Sequence, residues 1–277
     1  ELDRQPVYIN AQDALSEPAK VIWLNLEARA RFEPGRIAGS HWRTGGRSSL
    51  KALGANLRQF SNLQVLEVEA NDVAALASHL PHLRKLQRLN VSYTGAEHFD
   101  AIVQALAQLE HFKSLSAMGC GIPRIPPALT SIKGLEDLNL YNNKIQSLPA
   151  NLFGLTRLRG INVYANPLAG PWPVGVSQLR NLQSLEISAG DMGPIPGELF
   201  SLTALKHLNL SGTDLSRVAD RLGSLPQLER LELASTNLTQ LPATLGNLTR
   251  LRHLNLKENR LTTVPSLAKL QELRFLD

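Results

Sequence analysis

The chain has 277 residues, 43% of them hydrophobic and 19% charged, which is apolar content enough for a sizeable core and length enough for one or two domains. Its single cysteine, Cys120, excludes an internal disulfide framework and a cysteine-based metal cluster, and no apolar run approaches the ~18 residues of a membrane-spanning helix. The net charge of +5 is concentrated between Arg29 and Arg58, where seven basic residues face the single acid Glu33, so the rest of the chain is close to neutral.

The amino-terminal stretch ELDRQPVYINAQDALSEP has neither the charged start nor the apolar run of a signal peptide, and no initiator methionine. Residues 1 to 20 are expected to form a cap of polar cover. Val21, Leu24 and Leu26 in VIWLNLEAR have the spacing of a first strand. RFEPGRIAGSHWRTGGRSS is Gly-rich and basic and reads as an inserted loop, and SLKALGANLRQF reads as helical. Arg29, Arg31, Arg36, Arg43 and Arg47 in and before this insertion are the candidate contact for an acidic partner. Trp42 offers a base-stacking surface, but no nucleic-acid motif accompanies it, and nucleic acid is not the expected partner.

From Leu63 one pattern recurs. LQVLEVEANDV begins at Leu63, LQRLNVSYTGA at Leu86, FKSLSAMGCGI at Phe112, LEDLNLYNNKI at Leu135 and LRGINVYANPL at Leu158. LQSLEISAGDM follows at Leu182, LKHLNLSGTDL at Leu205, LERLELASTNL at Leu228 and LRHLNLKENRL at Leu251. The steps are 23, 26, 23, 23, 24, 23, 23 and 23 residues, and a tenth start, LRFLD, appears at Leu273. A fixed period of this size marks a repeat architecture. The expected division is an amino-terminal region over 1–62, with the cap, first strand and basic insertion, and repeats over 63–277. The uncapped LRFLD leads to the expectation that the natural protein continues.

Within a copy, strand alternation turns the fourth and sixth residues inward and the fifth and seventh outward, as with Leu138 and Leu140 against Asn139 and Tyr141. Leu135, Ile145, Leu148, Leu152 and Leu155 close the core behind them. One copy cannot bury its apolar face, whereas a stack can. The second copy is longer, and Phe99, Ile102, Val103, Leu106 and Leu109 recur at helical spacing. Elsewhere IPRIPPAL, LPANLF, IPGELF and LPATLG place proline in the turn after the core residue, and the fifth copy carries the Pro-rich PLAGPWPVGV.

The pattern LxxLxLxxNxL followed by LPxxLxxL resembles the leucine-rich repeat family over about four fifths of the chain. The resemblance implies an α/β solenoid, a horseshoe with a parallel β-sheet on its concave side and loops, 3-10 turns and short helices on its convex side. It also implies that the ninth residue of each copy is buried and bonded to backbone where the strand turns. That position holds Asn71, Thr94, Cys120, Asn143, Asn166, Gly190, Thr213, Thr236 and Asn259. Asn suits the task, Thr serves it in part, Cys weakly, and Gly190 not at all.

No catalytic constellation is legible. Cys120 occupies the ninth position and reads as structural, and the repeats offer no phosphate loop, zinc spacing or paired carboxylates, so no cofactor, no metal and no catalysis are expected within the chain. His207 and His253 take the same strand position two copies apart, ~10 Å at normal strand spacing, too far to share a metal. The glycosylation triplets at Asn90, Asn209, Asn237 and Asn247 follow from the repeat itself and are expected to carry nothing.

What remains is the outward face. Its candidate partner contacts are Tyr93, Met118, Asn139, Tyr141, Asn162, Tyr164, Glu186, His207 and Arg230, an aromatic centre with charged flanks. The resemblance implies a protein-binding scaffold, expected as a monomer off the membrane. The repeats with LPxxL turns resemble the recognition domains of bacterial effectors secreted into host cells, with a host protein as partner. An alternative is the substrate-recognition part of a ubiquitin ligase-type effector whose catalytic domain lies outside this chain. The Cys-Asp pair of such ligases is not present at Cys120, which is followed by Gly121.

Overall fold

The structure, a computed structural model, describes residues 7–8, 11–26, 49–188, 191–215, 217–263 and 266–277. The basic segment with Arg29, Arg31, Arg36, Arg43 and Arg47, and also Gly190, lies outside the described residues. The chain folds into two compact units, Glu1–Ile122 and Pro123–Asp277.

In the first unit, strands β1 (Val7–Tyr8), β2 (Trp23–Asn25), β3 (Val65–Glu67), β4 (Arg88–Asn90) and β5 (Ser114–Ser116) pair in sequence order, each parallel to the last. The cap therefore contributes a strand of its own, which the sequence pattern does not announce. Helix α1 (Ala11–Ser16) follows it. SLKALGANLRQF is helical as expected, but in two gauges, α2 (Ser49–Leu53) and then a 3-10 stretch over Gly54–Gln59. Helix α3 (Leu76–His79) precedes β4, and α4 (Phe99–Leu106) fills the long second copy. Phe99, Ile102, Val103, Leu106 and Leu109 are all buried, so the helical spacing identified the inward face.

In the second unit, β6 (Asp137–Asn139), β7 (Gly160–Asn162), β9 (Ser184–Glu186), β11 (His207–Asn209), β12 (Arg230–Glu232), β13 (His253–Asn255) and β14 (Phe275–Leu276) pair in parallel, one copy beside the next. Short 3-10 stretches such as Pro127–Ser131, Gly197–Ser201 and Ala243–Asn247 return the chain on the other side. The Pro-rich turn of the fifth copy holds a two-residue strand, β8 (Ala169–Gly170), parallel to β10 (Asp191–Met192). Trp172 Nε1 donates to Gly193 O at 3.1 Å and fastens that turn to the following copy. This is a leucine-rich repeat solenoid fold, made of sequential parallel strands with short helices and 3-10 turns between them.

Among the described residues each strand is only two or three residues long and depends on its neighbours. Leu140 N donates to Asn162 O at 2.7 Å, and Asn142 N to Tyr164 O at 3.0 Å, so the strand ends of one copy are closed by the next. Leu138, Leu140, Ile161, Val163, Leu185 and Ile187 are buried beneath the sheet. Leu140→Ala is expected to cost about 2–5 kcal/mol as a core truncation, read as a lower midpoint in urea unfolding.

His79 ends α3 and is buried, and Arg58 Nε donates to its Nδ1 at 3.3 Å. Burial holds its pKa below the ordinary 6.5, and the charges of Arg58 and His82 push the same way. The unfolded chain therefore takes up the proton first. Stability should fall as the pH drops through about 6.5 and level off below the depressed folded value. His79→Gln is expected to flatten that part of the curve when urea unfolding is followed from neutral to mildly acidic pH.

Candidate functional site

The site begins with how each strand ends. At the eighth position the backbone turns left-handed: Ala70 (φ 54°), Tyr93 (60°), Gly119 (60°), Asn142 (54°), Ala165 (58°), Gly212 (76°), Ser235 (56°) and Glu258 (56°). The ninth residue then fills the gap behind the turn. Asn166 Nδ2 donates to Leu140 O of the preceding copy at 3.0 Å and to Val163 O of its own at 2.9 Å, and its Oδ1 accepts from Ile145 N at 3.0 Å. Asn259 repeats this with Leu233 O, Leu256 O and Leu238 N at 2.7, 2.8 and 3.0 Å. Cys120 is buried and its thiol donates to Val91 O at 3.2 Å, which is the weak substitute that its chemistry allows.

The fifth-position row lies in register. In the first unit Asn25, Glu67, Asn90 and Ser116 are neighbours. In the second unit the row runs Asn139, Asn162, Glu186, Asn209, Glu232 and Asn255. The asparagines have a local task that the sequence did not reveal. Asn139 Oδ1 accepts from Tyr141 N at 3.1 Å, Asn162 Oδ1 from Tyr164 N at 3.0 Å, and Asn209 and Asn255 do the same two residues on. Where the row holds Ser116 or Glu232, a serine of the preceding copy takes over: Ser92 Oγ accepts from Met118 N at 3.1 Å and Ser211 Oγ from Ala234 N at 3.2 Å. Half of the Asn139 and Asn162 side chain is thus committed to the strand, leaving the Nδ2 ends for other contacts.

The candidate contacts fall in both units. In the first, Tyr93 and Met118 are half-buried. Tyr93 stands at the left-handed eighth position, one residue past the place of the other tyrosines, and its ring lies over Gly119: a Cβ on Gly119 would fall 2.5 Å from Tyr93 Cε1. In the second unit Tyr141 and Tyr164 are half-buried and stack, with ring centroids 6.3 Å apart and planes within 4°. Neither hydroxyl meets a hydrogen-bond partner among the described residues. Beyond them a depression of about 780 Å³ opens on the same face, lined by Tyr164, Glu186, His207, Arg230, His253 and Phe275 among others.

The far side of that depression is internally balanced. Glu232, with a side chain only 10% exposed, accepts at Oε1 from Arg230 Nη2 at 2.8 Å and faces His253 Nε2 at 2.8 Å. The His253 ring stacks on Phe275, with centroids 4.2 Å apart. Lys257 pairs with Asp277, which raises the lysine pKa. Phe275 was missed as a candidate. It takes the third position of its copy, in line with His207, Arg230 and His253, and aligning LRFLD with the earlier copies would have placed it there. Among the described residues no group of three or more His, Cys, Asp or Glu is placed to hold a metal, and no helix is long and apolar enough to cross a membrane.

A leucine-rich repeat family profile matches residues 180–238 and 226–277. The chain is 30% identical over 135 residues to a volume-regulated anion channel subunit of Homo sapiens, a match covering 48% of this chain and 17% of that protein. It is 32% identical over 128 residues to podocan-like protein 1 of Mus musculus, covering 46% of this chain and 22% of the other. The matched stretch thus spans about a fifth of the length of these relatives. A leucine-rich repeat protein of Leptospira interrogans has a similar solved structure, with a TM-score of 0.59 at 22% identity over 99% of this chain and 88% of that one. The chain has the leucine-rich repeat fold and is similar to leucine-rich repeat proteins of diverse kinds.

Gly119→Ala is expected to cost about 1–2 kcal/mol from the left-handed backbone, and to displace the Tyr93 ring as well. A lower urea midpoint together with a changed near-ultraviolet dichroism spectrum checks both parts.

Proposed function

We propose that the chain is a protein-binding scaffold and that the outward sheet face of its second unit, the concave face of the solenoid, holds the partner. The stacked pair Tyr141–Tyr164 carries this reading. Two large rings held side by side at the edge of a depression lose little entropy on contact and offer hydroxyls with no partner of their own. The fixed Arg230–Glu232–His253 group supports it, because charges already held in place can orient a partner without first being ordered. Asn139, Asn162, Glu186 and His207 complete the contact, and Tyr93 and Met118 are its counterparts on the first unit. The basic segment from Arg29 to Arg47 is a separate proposed contact for an acidic partner.

The finer reading, a recognition domain of a bacterial effector that acts as a monomer on a host protein, has the style of the LPxxL turns as its support. The ubiquitin ligase alternative has no residue of this chain behind it.

Replacing Tyr141 and Tyr164 together by Ala is expected to leave the fold intact and to cost the partner more than about 2 kcal/mol, roughly thirtyfold in Kd. Unchanged affinity in a calorimetric titration, with a wild-type circular dichroism spectrum, removes the aromatic pair from the interface.

A further inference from the structure

The face of the second unit is electrostatically uneven. Arg230 and His253 are turned to Glu232, Lys257 to Asp277, and Arg159 Nε to Glu136 Oε2 at 3.4 Å. The side chain of Glu186, a half-buried residue, has no ion pair or hydrogen bond among the described residues. It stands in register beside Asn162, and Tyr164 lies two residues further along that neighbouring strand on the same side. Strand spacing and rise put the two Cα atoms on the order of 8 Å apart. A cation seated between them reaches the carboxylate and still lies within the ~6 Å of a ring centroid that cation–π attraction requires.

The surroundings leave room for such a group. The third position of the two neighbouring strands holds Gly160 and Ser184, so no bulky side chain stands before the tyrosine pair. Asp137 lies over Gly160, where a Cβ would fall 2.8 Å from its Oδ1, and so covers the far end of this space. His207, the nearby base with no partner among the described residues, stands on the other strand beside Glu186, level with Ser184, and is two strands removed from Tyr164.

We propose that this patch receives an arginine side chain from an extended segment of the partner protein, its guanidinium stacked on Tyr164 and Tyr141 and paired with Glu186. The inference rests on the reading of this face as protein-binding and adds the chemistry of what is bound. A guanidinium fits better than an ammonium. It is planar, it is weakly hydrated, and its fork meets a carboxylate at two points while its face lies on a ring. An anionic segment is refused by Glu186.

The test uses peptides selected from a random phage-displayed library against the full 277-residue chain, then titrated by fluorescence anisotropy. The expected result is a shared arginine whose replacement by citrulline, its uncharged near-isostere, weakens binding about tenfold or more. Glu186→Gln should weaken the arginine peptide by a similar factor and leave the citrulline peptide unaffected. Peptides in which lysine serves equally well overturn the guanidinium assignment. Peptides that need the tyrosines but share no arginine, and that bind Glu186→Gln as tightly as the wild type, overturn the proposal and leave the protein-binding face standing. Peptides indifferent to Tyr141→Ala and Tyr164→Ala overturn both, as does a library that enriches nothing over an unrelated control protein.

Discussion

A strand of three residues cannot satisfy its own backbone, and the molecule is organised around that shortage. A copy leaves carbonyls and amides open where its strand turns, and at Asn71, Asn166 and Asn259 the ninth residue closes them across the copy boundary. Asn166 is the clearest case: one side chain takes Ile145 N and gives to both Leu140 O and Val163 O, so it joins two copies at the point where neither is complete. An open backbone group at that depth costs ~1–3 kcal/mol. Substitutes at this position are graded by chemistry, with Thr236 still bonding Leu233 O at 2.9 Å and Cys120 offering a thiol.

The same accounting divides the outward face into residues that hold the sheet and residues that do not. The asparagines of the fifth row look from the sequence like a display of amides. In the structure they work first on the strand, capping the seventh-position N–H through Oδ1. Glu232, in the same row, is tied to Arg230 and His253. Among the described residues the Tyr141 and Tyr164 hydroxyls and the Glu186 carboxylate meet no hydrogen-bond partner. Groups that stability does not require are the ones that a binding function is free to shape.

Much of this was legible because the repeat is strict. A period of 23 residues with fixed leucines determines which positions alternate, and the observed register places Asn139, Asn162 and Asn209 in the row that alternation requires. What was not legible came from local backbone geometry. Tyr93 shares the face in sequence logic but occupies the left-handed eighth position, where its ring folds over Gly119. Two-residue strands such as Val7–Tyr8 and Ala169–Gly170 are too short to produce an alternation. Phe275 was overlooked because a start without its remaining copy offers no pattern to read.

The unneutralised carboxylate also bears on selectivity. The balanced group around Glu232 costs a partner little to cover, since its charges already answer one another. Glu186 is different: a partner that covers it without bringing a cation must strip water from an ionised group and give nothing back, at a cost of several kcal/mol in a dry interface. The tyrosine pair makes contact favourable for many surfaces, because aromatic area is indifferent to sequence. The adjacent charge then penalises most of them. On the proposed binding face, discrimination then comes less from the tyrosines that attract than from Glu186, whose carboxylate has no partner among the described residues.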